Sequence, residues 1–474
     1  MTRMTKLAFA GIGGATACLA IRSIARTAEA QRNAGLGAGK RLLILGAGFG
    51  GIGAAVELAR LLPQTDNGEI VVIDEDNFLL FTPMLTEAAA GEIDPRHVVV
   101  GIHEFSKRIR FIQGRIDHVD VKTREVSVTI GESELDPEQA KIPADHLVIA
   151  LGSVTNFHHV AGAEEHCLQV KRLGDADAIC KRALASIDRA LVESDPAKQK
   201  ALLTFVVAGG GYTGVETIAA VNDLVRDKAV EYGLAPGEVR SVLVNPGDRL
   251  LTETSAELGE YAAEKLKQHG VEIRMKTSVK SVSADGVELD SGERIPSHTV
   301  IWAAGVKPNP IVESLDCEKG KHGGIKVNAC CQVESAPGVW ALGDCAEIPQ
   351  ADGTGTYAPT AQNATREGAL VAKNIVSALR GEAAQPFTFR PLGELALVGR
   401  HAGVARIFGQ NIYGIVAWAL WRMVYLAKIP GVAPKTRVVS DWILDLFYGR
   451  EPVELGGDRT QATTSQARAA GGQA

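Results

Sequence analysis

One stretch sets the architecture of this 474-residue chain: Arg41-Leu-Leu-Ile-Leu-Gly-Ala-Gly-Phe-Gly-Gly51. An apolar strand meets a glycine turn, and a helix pattern begins at once. Gly46, Gly48 and Gly51 occupy the G-x-G-x-x-G positions, which allow a tight turn, close approach of a pyrophosphate, and packing of helix on strand. A second strand ends at Asp74, whose carboxylate can accept hydrogen bonds from ribose hydroxyls. This order of elements predicts a dinucleotide-binding site.

The same arrangement occurs a second time, in Phe205-Val-Val-Ala-Gly-Gly-Gly-Tyr-Thr-Gly214. Gly209, Gly211 and Gly214 fill the motif positions, and the following strand ends at Asn245 instead of an acid. The two motifs begin 163 residues apart (209 − 46), so they form an internal repeat. One such fold suggests a dehydrogenase, whereas two suggest a flavin and a nicotinamide brought face to face.

Three further strands end in small residues, as a backbone passing close to a cofactor would. They end at Gly152, at Gly305 and at Gly343-Asp344. Asp344 can accept a hydrogen bond from a ribityl hydroxyl, while N–H groups beside it meet the pyrophosphate. A helix predicted to run to Leu379 follows.

The sequence therefore predicts an α/β protein with two Rossmann-like dinucleotide-binding domains and a C-terminal amphipathic helical region. The predicted segments are a leader or weak membrane segment at 1–38, a flavin domain in two parts at 39–160 and 316–390, a nicotinamide domain at 161–315, a membrane-associating region at 391–454, and a disordered tail at 455–474. For the leader, a cleaved signal, an anchor and a disordered segment all remain open.

Composition excludes several classes of function. The net charge of −6 gives no support for nucleic-acid binding. The seven cysteines form no C-x-x-C pair and no zinc-type spacing, so neither a metal site nor a dithiol centre is predicted. Scattered thiols in odd number fit a reducing compartment.

The C-terminal region is apolar and aromatic. Between residues 400 and 450 it carries seven Lys/Arg against two acids, Asp441 and Asp445. The second helix pattern, 438–449, places both acids opposite its apolar face. Such helices suit the membrane interface, where they lie in its plane and do not span it. The alternatives are a dimer face or a helix pair packed on the domain.

Together these motifs resemble the type II NADH:quinone oxidoreductases, single-subunit flavoproteins of the membrane surface. The resemblance covers about residues 40–454 and includes W-A-A-G-V-K-P-N-P, A-L-G-D-C-A and A-P-T-A-Q-N-A. It implies FAD bound by the first and third segments and NADH by the middle one. It also implies a membrane quinone as electron acceptor, peripheral attachment at the cytoplasmic face of the cell inner membrane, and no proton pumping, and it leaves a homodimer open.

Particular residues follow from the resemblance. It places Ala361 and Gln362 at the mouth shared by flavin and quinone, with Gln362 as a donor to a quinone carbonyl, and Glu216 near the nicotinamide, positioning NADH and handling protons. The alternative for Glu216 is a first-turn acid that interacts with the helix dipole, and for Gln362 an ordinary polar residue at a helix start. Asn245 departs from the family acid and does not repel a 2′-phosphate, so NADPH stays open as a donor. Arg366 replaces a second glutamine.

Two other functions compete. A sulfide:quinone oxidoreductase would need reactive cysteines beside the flavin, for which Cys345 and Cys167 are the candidates. A redox-sensing scaffold resembling apoptosis-inducing flavoproteins would turn over slowly. We also expect truncation after about residue 405 to release the protein from membranes while NADH oxidation by a soluble acceptor largely survives.

Overall fold

The computed structural model describes residues 36–131, 137–235, 237–391 and 393–449. These residues form two compact units. The first comprises 36–79, 101–154 and 306–391, and the second comprises 80–100, 155–305 and 393–449. The predicted tail, and the predicted leader apart from 36–38, lie outside the described residues.

The described chain contains both α-helices and β-strands. The α-helices are α1 (Phe49–Leu61), α2 (Leu85–Ala89), α3 (Ala163–His166), α4 (Leu173–Val192), α5 (Pro196–Leu202), α6 (Tyr212–Glu231), α7 (Ala256–Gln268), α8 (Ile311–Ser314), α9 (Ala361–Leu379), α10 (Ile415–Lys428) and α11 (Val432–Tyr448). The strands are β1 (Arg41–Leu45), β2 (Glu69–Asp74), β3 (Phe78–Leu80), β4 (Val99–Gly101), β5 (Ile109–Asp120), β6 (Glu125–Ile130), β7 (Glu138–Pro143), β8 (His146–Ile149), β9 (Ser153–Thr155), β10 (Leu168–Gln169), β11 (Thr204–Ala208), β12 (Arg240–Asn245), β13 (Val271–Met275), β14 (Val279–Ser283), β15 (Gly286–Leu289), β16 (Arg294–Pro296), β17 (Thr299–Trp302), β18 (Val306–Pro308), β19 (Ile325–Lys326), β20 (Val339–Ala341), β21 (Ala346–Glu347), β22 (Gly393–Gly399), β23 (Ala402–Ile407) and β24 (Gln410–Gly414).

The first unit is built on the sheet β20-β8-β1-β2-β5-β6-β7. Its first five strands are parallel, and β6 and β7 extend it in antiparallel fashion. Leu42 to Leu45 in β1 are completely buried, as expected for a central parallel strand covered on both faces. β2 and β5 lie on one side of β1, and β8 and β20 lie on the other, so the strand order reverses beside β1. The carboxyl ends of the strands at such a point are the usual place for a ligand in an open α/β sheet.

The second unit repeats this order in its own parallel sheet, β10-β17-β11-β12-β13. β17-β11-β12-β13 corresponds to β8-β1-β2-β5 of the first unit, and an antiparallel sheet β14-β15-β16 follows as β6 and β7 do. The helix after the second glycine turn, α6, runs from Tyr212 to Glu231.

The second unit ends in a three-stranded antiparallel sheet, β22-β23-β24, followed by α10 and α11. Trp421 in α10 is fully buried, whereas α11 exposes Ile443, Leu446 and Phe447. Asp441 lies on the inner side of α11, where its carboxylate meets the His97 ring at 2.6 Å. Among the described residues, no helix is both long and apolar enough to cross a membrane.

Candidate functional site

The first glycine turn has the geometry that its motif predicts. Gly46 adopts a φ of +101°, and a Cβ there would lie 2.3 Å from the carbonyl oxygen of Ala150. A Cβ on Gly51 would lie 1.9 Å from the carbonyl oxygen of Gly46, so helix and turn meet without room for a side chain. Gly48 instead faces open space, since a Cβ there would have no atom within 4 Å. α1 begins there without a side-chain cap or an acid in its first turn, which suits an anionic ligand.

Asp74 is the last residue of β2, and it stabilises the glycine turn through hydrogen bonds to backbone N–H groups. Its Oδ2 accepts a hydrogen bond from the Ala47 N–H at 2.6 Å, and its Oδ1 accepts one from the Asp76 N–H at 2.9 Å. Burial raises the pKa of Asp74, while these two N–H groups act in the opposite direction. Each carboxylate oxygen can accept a second bond. The residue can therefore hold the turn and still accept from a ribose hydroxyl.

Gly343 and Asp344 lie at the carboxyl end of β20. Asp344 Oδ2 accepts a hydrogen bond from the Ser153 hydroxyl at 2.6 Å, close to Gly152 in sequence. The Gly343 N–H donates to Glu367 Oε2 at 2.8 Å, so this N–H is engaged within the protein, contrary to our expectation that it meets a pyrophosphate. Glu367 is only 3% exposed, and burial raises its pKa to about 7. Sequence reasoning missed Glu367, although an acid on the buried side of an amphipathic helix is a usable signal.

α9 carries the predicted quinone-side residues at its start. Ala361 and Gln362 are half-buried in the first turn. Arg366 donates to the Gln362 carbonyl oxygen at 2.9 Å, and its guanidinium lies 4.0 Å from the centre of the Phe389 ring. Arg366 is therefore occupied within its own unit. Further along the helix, a Cβ on Gly368 would lie 2.2 Å from the carbonyl oxygen of Gly50, which brings α9 against the helix of the first glycine turn.

The second glycine turn has the same close backbone contacts as the first. Gly209 has a φ of +117°, and its Cβ would lie 2.3 Å from the carbonyl oxygen of Ala303. A Cβ on Gly214 would lie 1.9 Å from the carbonyl oxygen of Gly209, and Gly211 has only the Glu253 carboxylate within 4 Å. α6 also begins without a side-chain cap or a first-turn acid. Two independent turns with the same close contacts are what a duplicated nucleotide-binding fold requires.

Two other predicted residues border this second turn. Gly305 follows β17 with a φ of +127° and faces the His158 ring. Asn245 ends β12, but its amide is occupied, since Nδ2 donates to the carbonyl oxygens of Arg249 at 2.9 Å and Gly247 at 3.3 Å. Asn245 therefore organises the loop after β12. It adds no negative charge where the family acid would stand.

Glu216 lies near the start of α6, and its carboxylate accepts hydrogen bonds from residues in the C-terminal part of the second unit. Its Oε1 accepts hydrogen bonds from the Leu397 backbone N–H at 3.0 Å and from the Trp421 indole N–H at 3.1 Å. Burial raises the pKa of Glu216 to about 8, and the two donors limit that rise. A carboxyl group with this pKa exchanges protons near neutral pH, which suits acid–base work.

Glu216 lines a cavity of about 90 Å³ within the second unit, together with a charged cluster that the sequence analysis did not foresee. Arg422 donates to Glu87 and to Glu92, each at 3.2 Å, and lies over the rings of Trp418 and Trp442 at 4.4 and 4.6 Å. Arg422 is one of the seven bases between residues 400 and 450 that were expected to face a membrane, but its side chain is only 15% exposed. The signal available was Glu87, a single acid in an apolar run.

The two cysteines considered for sulfide chemistry are protected. Cys345 is fully buried and Cys167 partly so. Burial raises the pKa of each thiol to about 12. Because the thiolate is the reactive form, neither cysteine is primed for attack at neutral pH.

Comparison with known proteins adds independent findings. Residues 40–368 match the family model of the pyridine nucleotide-disulphide oxidoreductases, and residues 392–451 match the NDH2 C-terminal domain. A probable NADH dehydrogenase of Dictyostelium discoideum is 29% identical over 419 residues, which is 87% of this chain and 90% of that protein. The type II NADH:quinone oxidoreductase Ndh of Mycobacterium tuberculosis is 28% identical over 426 residues, or 86% and 89% of the two chains. The structure of NDH2 from Plasmodium falciparum in complex with NADH has a TM-score of 0.79 at 18% identity and covers 87% of this chain and 99% of that one.

Proposed function

Because the chain belongs to the pyridine nucleotide-disulphide oxidoreductase family, we propose that it is a type II NADH:quinone oxidoreductase with bound FAD. The predicted family and the predicted α/β fold are confirmed by the two family matches and by the solved neighbour. The activity and cofactors predicted from the sequence agree with the names of the relatives. FAD, when bound, supplies the chemistry that takes two electrons from NADH and gives them to the quinone.

The FAD would lie on the first unit. Gly46, Gly48 and the uncapped start of α1 would hold its pyrophosphate, and Asp74 would accept from its ribose. Asp344, fixed by Ser153, would accept from the ribityl chain. The open space at Gly48 supports this assignment, since a side chain there would obstruct the approach of a phosphate.

NADH would lie on the second unit, at the turn formed by Gly209, Gly211 and Gly214. Asn245 leaves the 2′ position of the ribose without a repelling carboxylate, so we propose that NADPH is also accepted. Gly305 would border the same ligand. Glu216 would position the dihydronicotinamide and hold a proton on Oε2, in keeping with its raised pKa. Ala361 and Gln362 would border the quinone head group.

Attachment to a membrane would use the outer faces of α10 and α11. Exposed Ile415, Val416, Met423, Leu446 and Phe447 provide apolar surface. Of the two acids of α11, Asp441 contacts His97 and Asp445 lines the cavity of the second unit. Amphipathic surfaces of this kind bind at the lipid interface. Since NADH is a charged cytoplasmic metabolite, we propose peripheral attachment at the cytoplasmic face of the inner membrane. Alternatively, a second copy of the chain covers these helix faces. Sedimentation in detergent distinguishes the two possibilities, because a dimer sediments with twice the protein mass of a monomer.

The observation that carries the proposal is the pair of glycine turns with matching close contacts, 2.3 and 1.9 Å in each unit. The test is anaerobic stopped-flow absorbance with the FAD-loaded protein. NADH should bleach the flavin, and a short-chain quinone should then restore its absorbance. Flavin that NADH does not bleach, or that quinone does not reoxidise, would contradict the proposal. Bleaching by sulfide instead would favour the competing function.

A further inference from the structure

Residues 393–449 contribute directly to the surroundings of Glu216. Both donors to its Oε1, the Leu397 N–H in β22 and the Trp421 indole in α10, come from this region. Both distances, 3.0 and 3.1 Å, are ordinary for hydrogen bonds. Both bonds hold Oε1, and Glu216 is also one of the residues that line the cavity of the second unit.

We propose that Trp421 is a positioning residue for Glu216, so that the C-terminal domain completes this site as well as attaching the protein to a membrane. The inference rests on the proposed role of Glu216. The indole fixes Oε1, and the fixed carboxyl group presents Oε2 to the cavity with a defined proton affinity. Trp421 touches neither NADH nor quinone in this scheme and acts through Glu216.

Trp421 is well placed to hold another side chain still. It is fully buried, and the Tyr425 ring one turn later lies 4.7 Å from its ring centre. The next residue, Arg422, ties the same helix to Glu87 and Glu92. The backbone of α10 also approaches β23 closely, since a Cβ on Gly403 would lie 2.8 Å from the backbone nitrogen of Trp418. These contacts fix the register of α10 and therefore the place of the indole N–H.

The effect of the indole N–H on the pKa of Glu216 can be measured separately from the effect of the charged residues around the cavity. Glu216 shares its cavity with Glu87, Glu92, Asp223 and Asp445, and with the bases Arg400, Arg422 and His401. A substitution that leaves all of these in place changes only the donor. Hydrogen bonds to an ionised group favour the ionised form, so loss of one donor raises the pKa of the acceptor. The magnitude expected for one such bond is roughly one to two pH units.

The test compares W421F with W442F in the FAD-loaded full-length protein. The same substitution at Trp442 alters the same cavity without touching Glu216, and it is the matched control. Infrared difference spectroscopy follows the carboxyl band of Glu216, identified by its loss in E216Q. In W421F we expect its titration midpoint to rise from about 8 by roughly one to two pH units. We expect the pH profile of flavin reduction by NADH to shift equally, and W442F to keep the original midpoint.

The outcomes separate two failures. A midpoint unchanged in W421F, while E216Q abolishes the band and slows NADH oxidation, overturns the role of Trp421. A normal rate in E216Q at every pH overturns the proposed role of Glu216 and the inference with it. If W421F does not fold, Glu216→Asp is used in its place. The shorter side chain withdraws the carboxyl group from the indole N–H while Trp421 itself is unchanged. A midpoint that does not rise in that variant also overturns the inference.

Discussion

Arg422→Met should destabilise the C-terminal helices in a pH-dependent way. In the wild type the guanidinium bonds to Glu87, 1% exposed, and Glu92, 12% exposed, and lies between the rings of Trp418 and Trp442. Methionine retains an apolar side chain that can fill the space between the rings. The charge is lost, however, and the buried Glu87 loses the cation that lies 3.2 Å from its Oε1.

Removing one partner of a buried ion pair costs about 3 to 5 kcal/mol. The cost depends on pH because burial and the neighbouring Glu92 raise the pKa of Glu87, whereas Arg422 lowers it. Without Arg422 the folded-state pKa of Glu87 rises further above its unfolded value. While Glu87 is protonated in both folded proteins, the loss relative to the wild type is small. As pH rises above the raised folded-state pKa that Glu87 has in the wild type, the wild-type carboxyl group ionises beside Arg422 whereas that of the variant stays protonated, so the penalty grows.

The assay is urea unfolding followed by tryptophan fluorescence at pH 5 and pH 8, with hydrogen exchange to localise the loss to residues 415–448. Arg400→Met is the control, because Arg400 pairs with Asp227 at 3.0 Å with both side chains over 40% exposed. Such a surface pair contributes about 0 to 1 kcal/mol. The double variant E87Q/R422M should regain part of the loss. A loss in R422M equal to that of the control, or one of the same size at both pH values, would refute this reasoning.

Three further predictions concern the two nucleotide sites and the helix packing beside the first of them. Asp74→Asn weakens an acceptor of two backbone N–H groups, so the FAD dissociation constant should rise roughly 10- to 100-fold in a flavin fluorescence titration; unchanged affinity would mean that the carboxylate is not needed. Asn245→Asp should lower kcat/KM for NADPH at least about tenfold relative to NADH, through repulsion of the 2′-phosphate, and a constant ratio would speak against recognition at this position. Gly368→Ala places a Cβ 2.2 Å from the Gly50 carbonyl oxygen, so it should lower the free energy of unfolding by about 1 to 3 kcal/mol in thermal or urea unfolding. Gly174→Ala is the control, because no atom lies within 4 Å of a Cβ there, and it should be neutral or stabilising.

The parts of the site that sequence could predict are those that depend on local geometry. The glycine spacing predicted both turns, because a G-x-G-x-x-G after a buried strand specifies backbone contacts only a few residues apart. Accordingly, a Cβ on Gly51 or on Gly214 would lie 1.9 Å from the carbonyl oxygen of the first glycine of its own motif. Asp74 was predicted for the same reason, since the end of a second parallel strand must lie beside the first.

The parts that sequence could not predict depend on residues far apart in the chain. Arg422 looked like a base facing lipid, because nothing in α10 indicates that its partners are Glu87 and Glu92, more than 300 residues earlier. Glu367 looked like an ordinary helix residue, because its partner is the Gly343 N–H in another element. Both groups satisfy polar atoms in the interior, and the choice of partner is made by tertiary packing.

Truncation after residue 405 now has a different expected outcome. It would remove Trp421 and Arg422, and with them a donor to Glu216 and the cation of the buried acids. We therefore no longer expect NADH oxidation by a soluble acceptor to survive this deletion. Substitutions on the outer face, such as Leu446→Glu with Phe447→Glu, offer a cleaner test of membrane attachment because both side chains are exposed.

The contact between Gly368 and Gly50 has a consequence for synthesis. The first glycine turn leaves the ribosome before the helix that packs against it and the acid that bonds to Gly343, which follow about 320 residues later. At 5 to 20 residues per second, that delay is roughly 15 to 65 s. During this time the nascent chain carries half of a flavin site whose apolar helix face is uncovered. We therefore expect FAD to be captured firmly only after α9 has been synthesised, and a chaperone that shields α1 until then should raise the yield of loaded protein.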